Sequence, residues 1–293
     1  MKIYNLGSLN IDYVYSVPHF VQPGETLSST KMEIFPGGKG LNQSVALARA
    51  GAQVIHGGRI GDNGGFLKQI LSDAGADTAF VETVGVSTGH AIIQVDENGQ
   101  NCILLFSGAN HCFDKEFVQR ILSGSQPGDI LLLQNEINCL PEIFAVAEEK
   151  QLQIAFNPSP FRQELLQLPL EQVKWWLCNE IEGGQITGKE APEEIIEAMH
   201  ARFPRSNIVL TLGKDGCIFK NSSETLRHPI FPVKAVDTTA AGDTFTGFFL
   251  ASVAGGKPIA DALRIASRAS SIAVSRMGAS ASVPTLEEVL SYE

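Results

Sequence analysis

Short apolar runs and longer helix-length stretches follow one another along this chain, separated by turn residues. Ile3–Leu6 has the pattern of a short buried strand. Residues 11–17 alternate, with Ile11, Tyr13, Tyr15 and Val17 on one side, and residues 31–35 alternate again, Met32 and Ile34 against Lys31, Glu33 and Phe35. Pro23-Gly24 marks a turn between them. The Ala-rich run from Leu41 to Ala50 stops at Gly51 and predicts a helix. Residues 54–57 predict a strand, and residues 64–74 a loop and a helix. Gly89–Val95 and Asn101–Phe106 are apolar runs divided by Asp96-Glu97-Asn98-Gly99, a strong hairpin signal. Ile130–Leu133 is continuously apolar, as in a sheet covered on both faces.

Residues 141–150 then predict a helix, and residues 153–156, 175–178 and 207–212 predict strands with helical segments between them. Ile218-Phe219 and Thr225–Arg227 form a late hairpin pattern. The β-branched run Ile230–Val236 predicts a strand that leads through residues 237–243 into a buried helix from Thr244 to Val253. A further helical region spans residues 257–276, and a short terminal helix starts near Thr285. This alternation predicts an α/β fold: one domain over residues 1–293, with a mostly parallel sheet and helices on both faces. The early alternating strands and the hairpin interrupt that rhythm and predict a small separate β-sheet. One face of it would cover a site. The other would expose apolar residues such as Tyr13, Tyr15 and Ile93 and invite a second copy of the chain. The alternative is that this sheet packs onto the main body.

Composition narrows the picture. Of 293 residues, 44% are hydrophobic, enough for a substantial core. No window has the long uncharged apolar run of a membrane helix. The start reads as a strand and a turn rather than a signal peptide, so a cytoplasmic location is expected. Cys102, Cys112, Cys139, Cys178 and Cys217 are odd in number and widely spaced, with no Cys-x-x-Cys pair. That argues for buried small hydrophobes in a reducing compartment and against a zinc site or disulfide framework. A formal net charge of −10 disfavours nucleic-acid or anionic-membrane partners. A small anionic ligand remains compatible with it, because a few backbone donors bind phosphate locally.

The chemistry concentrates in Asp237-Thr238-Thr239-Ala240-Ala241-Gly242-Asp243. Small residues at a helix start let a ligand approach the backbone, and the free N–H groups with the helix dipole favour an anion. Asp243, in the first turn, would repel that anion unless it takes a proton from an attacking hydroxyl. A plain capped helix start is the competing reading. Gly37-Gly38-Lys39-Gly40 precedes the helix at residues 41–50 but is neither a Walker A loop nor a dinucleotide fingerprint, since Gln43 stands where the third Gly belongs. Asn10, Asp12 and Asn42 supply amides and a carboxylate suited to vicinal hydroxyls. Glu136 follows the strand at residues 130–133, on the edge where open α/β sheets bind ligands. Asn179-Glu180-Ile181-Glu182 follows another strand and would hold hydrated Mg²⁺ or simply begin a helix. Thr211-Leu212-Gly213-Lys214-Asp215-Gly216 would bring backbone close to a nucleotide, or form an ordinary turn.

Three of these motifs lie in a shared order over nearly the whole chain: Gly37-Gly38-Lys39-Gly40 with Asn42, Asn179-x-x-Glu182, and Asp237-Thr238-x-Ala240-Ala241-Gly242-Asp243. In this the chain resembles the ribokinase-like (PfkB) family of carbohydrate kinases. Gly7-Ser8-Leu9-Asn10-Ile11-Asp12, Ser107-Gly108-Ala109-Asn110, Asn157-Pro158-Ser159-Pro160 and Ser282-Val283-Pro284 bring it nearest to the family's ribose-phosphorylating members.

The resemblance implies an ATP-dependent kinase acting on the 5-hydroxyl of ribose, with another sugar or a nucleoside as the alternative. A non-catalytic sensor on the same fold and a nicotinamide oxidoreductase are less favoured. It implies that Asn10, Asp12, Gly38, Asn42 and Glu136 bind a pentose, with Lys39 adding positive charge, and that Asp243 is the base. By the same resemblance the N–H groups of Ala240, Ala241 and Gly242 form an anion hole, Asn179 and Glu182 act on Mg²⁺ through water, and Thr211, Gly213 and Gly216 line the ATP site. It also implies a K⁺ site from Asp237, Thr239, Gly278 and Ser282, and a homodimer joined through a β lid built from about residues 11–36 and 88–107. Ser267 departs from the pattern, standing where relatives commonly place His or Asn beside adenine.

Overall fold

The computed structural model describes residues 1–292. In chain order the first half contains β1 (Ile3–Leu6), β2 (Asn10–Ser16), β3 (Lys31–Gly37), α1 (Lys39–Arg49), β4 (Val54–Ile60), α2 (Gly65–Asp73) and β5 (Asp77–Thr83). There follow β6 (Gly89–Val95), β7 (Asn101–Phe106), α3 (Lys115–Ile121), β8 (Ile130–Gln134), α4 (Leu140–Glu149) and β9 (Gln153–Asn157). The remainder is β10 (Val173–Asn179), α5 (Glu180–Thr187), α6 (Pro192–Arg202), β11 (Asn207–Thr211), β12 (Cys217–Lys220), β13 (Thr225–His228), α7 (Ala241–Ala254), α8 (Ile259–Val274) and α9 (Leu286–Ser291). None of the described helices is long and apolar enough to cross a membrane.

The main sheet has nine strands in the order β13-β12-β11-β10-β9-β8-β1-β4-β5. It is parallel except for the antiparallel hairpin β12–β13 and its pairing to β11. Period-two alternation splits its side chains between two cores. Ile3, Ile130, Leu132, Trp175 and Val209 enter the layer under α1, α2, α7, α8 and α9. Tyr4, Leu6, Leu131, Leu133, Trp176 and Leu210 enter the layer under α3 to α6. Strands buried on both faces are therefore nearly all apolar, as the continuous run at β8 anticipates. Chain order reverses between β1 and β8, and such a switch point opens a crevice at the carboxyl ends of the strands.

A second sheet, β3-β2-β6-β7, stands separately, as expected. Its register sets Tyr13 beside Ile34 and Ile92, and Ile92 opposite Leu104, on one face; Asp12, Phe35, Ala91 and Leu105 share the other. The exposed apolar residues differ from those expected. Tyr13, Tyr15 and Ile93 are half-buried, and Tyr13 packs against the main core. Met32, Ile34 and Ile92 are exposed instead, together with the whole run Ile103–Phe106 on β7, which is flanked on one side only.

The expected strand at residues 230–236 does not form. Pro232 removes a ladder donor within it, and Pro229 removes another just before it. The segment instead runs as an irregular connection whose end is tied to α8, where the N–H groups of Val236 and Asp237 donate to the Val274 carbonyl at 2.8 and 3.2 Å. β5 and α3 are additions to the sequence reading. β5 is a half-buried edge strand, and α3 is short, opening on Asp114, whose carboxylate accepts from the Phe117 N–H at 2.8 Å. The cysteines also differ from expectation: only Cys178 and Cys217 are buried, while Cys102 is exposed on β7.

Candidate active site

Helix α7 begins without a side-chain cap, so the capping reading of Asp237–Asp243 does not hold. Ala240 occupies the left-handed region at φ 58°, a conformation that costs a non-glycine residue about 1 kcal/mol or more. Among the described residues the N–H groups of Gly242 and Asp243 meet no protein acceptor, and that of Ala241 reaches only the Thr238 carbonyl at 3.3 Å. A Cβ on Gly242 would meet open space. These donors face a cavity of about 240 Å³ lined by Lys39, Asn179, Glu182, Thr211, Thr238, Ala240, Ala241, Gly242 and Asp243, together with Asn157 and Ser159.

Asp243 itself is buried, at 7% exposure. Its Oδ1 accepts from Gln43 Nε2 at 2.8 Å and its Oδ2 from Asn42 Nδ2 at 3.2 Å. Both donors lie on α1, whose start is shaped by Gly38 and Gly40. Gly38 has φ 92°, and a Cβ on Gly40 would lie 2.3 Å from the Ser8 nitrogen, so the helix start rests directly on the chain leaving β1. Glu136 closes this turn. Its Oε2 accepts from the Lys39 N–H at 2.9 Å and from the Ser8 hydroxyl, while Ser8 Oγ accepts from the Gly40 N–H at 3.2 Å.

Asn10 and Asp12 sit at the start of β2. Asn10 Oδ1 accepts from Asn110 Nδ2 at 2.7 Å, and Asn110 also accepts from the Leu9 N–H at 2.9 Å. Burial, and then the nearby Glu136 carboxylate, pushes the Asp12 carboxyl up to about 6. Burial would depress the Lys39 ammonium, but Asp243, Glu136 and Glu182 outweigh it and raise its pKa. Lys39 thus links the carboxylates of the Asp12 side to those of the α7 side.

Asn179 and Glu182 form a reciprocal capping box at the start of α5, with N–H···O distances of 2.9 and 3.1 Å. One oxygen of each is committed to that cap, and both residues still line the cavity. Among the described residues no group of three or more His, Cys, Asp or Glu converges as a metal cage. Of the expected nucleotide residues, Thr211 reaches the cavity wall, whereas Gly213 and Gly216 shape the turn beyond it with φ 53° and 88°. Ser267 is buried on α8, and its hydrogen bond to Cys217 opposes the burial that raises that thiol to about 11.

Asp237 joins two loops. Its Oδ1 accepts from the Thr239 N–H and its Oδ2 from the Gly278 N–H, both at 2.9 Å. Burial works against its charge, but the Thr239 and Gly278 hydrogen bonds prevail and hold its pKa below the usual carboxylate value. Ser282 is buried nearby in the chain and donates to the Ala279 carbonyl at 2.8 Å. The structure therefore brings Asp237, Thr239 and Gly278 into one cluster at the outer side of the α7 start.

Residues that sequence reasoning left without a role are Ser8, Gln43, Asn110 and Gln134. Ser8 and Asn110 lie inside quoted motifs. Gln134 is legible as a polar residue ending the apolar run Ile-Leu-Leu-Leu of β8.

A doubly wound sheet, an uncapped helix start facing a cavity, and a buried carboxylate beside it form a crevice suited to an anion next to an acid–base group. Comparison with known proteins gives the family. A model described as pfkB family carbohydrate kinase matches residues 2–286, and the chain belongs to that family. It is 35% identical over 299 residues to a ribokinase of Haemophilus influenzae, covering 98% of this chain and 96% of that protein. The ribokinase of Cryptococcus neoformans solved in complex with ADP superposes with a TM-score of 0.86 at 33% identity, covering 99% of this chain and 98% of that one. The ribokinase of Arabidopsis thaliana complexed with ribose and ATP has the same TM-score at 28% identity, covering 99% and 97%.

The raised Asp12 carboxyl makes a testable statement about stability. Folding favours its protonated form, so its contribution is complete below the unfolded value of 3.8 and is lost as pH rises through about 6. Asp12→Asn should therefore melt higher than the parent at pH 8, and the gap should narrow as pH falls from 6 toward 4. Thermal melts across that range check it; an Asp12→Asn protein less stable than the parent at pH 8 contradicts it.

Proposed function

We propose that this enzyme transfers the γ-phosphoryl group of ATP to the 5-hydroxyl of D-ribose, giving ribose 5-phosphate in the cytoplasm. The observation that carries the reading is the position of Asp243: a buried carboxylate that accepts from Asn42 and stands beside the free N–H groups of α7. Asn10, Asp12, Gly38, Asn42 and Glu136 hold the sugar hydroxyls, the carboxylates accepting and the amides both donating and accepting. Asp243 takes the proton as the 5-hydroxyl oxygen attacks the γ-phosphorus and the bond to the ADP oxygen breaks. The N–H groups of Ala240, Ala241 and Gly242, with Lys39, meet the charge on the phosphoryl oxygens. Such preorganised donors suit a reaction in which catalysis is mostly positioning and charge stabilisation. Thr211, Gly213 and Gly216 border the nucleotide. The ligands of the Cryptococcus and Arabidopsis relatives support this pairing of sugar and nucleotide.

Asn179 and Glu182 offer oxygen donors at the cavity wall, but too few for a protein cage. That fits Mg²⁺ held largely by water and phosphate. Bound there, Mg²⁺ would neutralise charge on the nucleotide's phosphates. The Asp237 carboxylate, the Thr239 and Gly278 carbonyls and the Ser282 oxygen make an all-oxygen donor set, which suits a hard monovalent cation such as K⁺. With such an ion in place, the loop that leads into the anion hole would keep its shape. The exposed apolar strip of the small sheet supports its role as a lid paired with the lid of a second copy.

Three measurements test these proposals. Turnover across ribose, deoxyribose, fructose, a keto-deoxy acid and adenosine should place ribose among the best by kcat/KM, and Asp243→Asn should lower kcat by roughly 10²–10⁴-fold; a different best substrate or an unimpaired variant defeats the respective assignment. Exchanging Na⁺ for K⁺ should raise activity in the parent and not in Asp237→Ala, and a parent indifferent to K⁺ removes the cation site. Sedimentation should give a dimer that dissociates in Ile103→Asp, whereas a monomeric parent at assay concentration rejects the paired lids.

A further inference from the structure

Beneath Asp243 runs a file of enclosed polar side chains to which the phosphoryl-transfer chemistry assigns no task. Asn5, Gln43, Ser44 and His56 are fully buried, and Gln134 is 1% exposed. Asn5 on β1, Gln134 on β8 and His56 on β4 occupy the alternation positions of Ile3, Ile130 with Leu132, and Val54, which enter the core under α1. Three polar side chains thus stand where the pattern calls for apolar ones. Burying them is costly unless their hydrogen bonds are made.

The donor and acceptor sense along this file is set from one end. The Gly40 carbonyl can only accept, so Asn5 turns Nδ2 toward it at 2.9 Å. Asn5 Oδ1 then faces Gln134, which donates from Nε2 at 3.0 Å. The same nitrogen donates at 2.6 Å to Gln43 Oε1. Gln43 is left with Nε2 toward Asp243 Oδ1, at 2.8 Å. Ser44 agrees with this sense. Its Oγ accepts from Asn5 Nδ2 at 2.7 Å and pairs with His56 Nδ1 at 2.8 Å. Burial pushes the His56 pKa down to about 3, so that ring is neutral.

We propose that Gln43 is a positioning residue for the Asp243 carboxylate, kept in its donating orientation by Gln134 and Asn5. Oδ1 is held by the 2.8 Å bond, while Oδ2, with the longer 3.2 Å bond from Asn42, keeps a lone pair for the proton of the acceptor hydroxyl. Gln43 does not line the cavity, so it acts through Asp243 and not on a ligand. The inference rests on the reading of Asp243 as the base.

Gln43→Met removes the donor at similar volume. It should lower kcat for ribose roughly 10- to 100-fold, the range expected for a lost hydrogen bond to a charged group. KM for ribose should stay within about twofold, because ground-state sugar contacts are untouched. In an Asp243→Asn background the same change should add no further loss, since its effect passes through the carboxylate. Gln134→Met, which frees the Gln43 amide to reverse, should lower kcat in the same sense and carries the test if Gln43→Met does not fold. An equal loss with and without Asp243, or a rise in KM with kcat intact, overturns the inference. Undiminished turnover in Asp243→Asn removes the base assignment and this inference together. An impaired Asp243→Asn beside an unimpaired Gln43→Met overturns this inference alone.

Discussion

Two amide hydrogen bonds, from Asn42 and Gln43 to Asp243, join segments 201 and 200 positions apart in the chain. Every other feature of the site is arranged around that junction. It requires α1 and α7 to lie side by side on one face of the sheet. A Cβ on Gly247 would fall 2.3 Å from the Ala46 side chain, so the two helices approach as closely as glycine permits. It also requires the start of α1 to be fixed. Gly38 and Gly40 set it against the end of β1, and the Glu136 carboxylate closes it by accepting from Lys39 and Ser8.

Charge follows from the same geometry. Asp12, Glu136, Asp243 and Glu182 all lie within influence of Lys39 or of one another in a protein that is acidic overall. Burial, and then repulsion from Glu136, raises Asp12, while the carboxylates around Lys39 outweigh its burial and hold it protonated. The outer carboxylate, Asp237, has the opposite environment. Two backbone N–H groups satisfy it, and it keeps its charge. The stretch Asp237–Asp243 thus carries two acids of different character separated by a turn in a strained left-handed conformation.

Much of this was legible in the residues themselves. The apolar run of β8, the Asn98-Gly99 hairpin, the helix ending at Gly51 and the late hairpin β12–β13 follow from local periodicity and turn chemistry, which neighbours in sequence control. The motif residues Asn10, Asp12, Gly38, Lys39, Asn42, Glu136 and Asp243 stood out because polar groups cluster at strand ends. The misses have physical causes too. Residues 230–236 carry β-branched side chains, but a strand needs backbone N–H groups to pair, and Pro232 within the run and Pro229 just before it lack them. Tyr13 and Tyr15 share an alternating face with exposed residues, yet Tyr13 lies over the main core, which no period can reveal.

By itself the sequence determined most of the alternation of strands and helices, the presence of helices on both sheet faces and the chemical types available at the strand ends, since these depend on spacing and residue type alone. Which of those groups touch was decided only by tertiary structure. Asn5, Gln134 and Gln43 become one hydrogen-bonded file because β1, β8 and α1 meet at the point where strand order reverses. Asp243 receives its two donors for the same reason: packing of a folded core, and not proximity along the chain, selects which buried polar groups must satisfy one another.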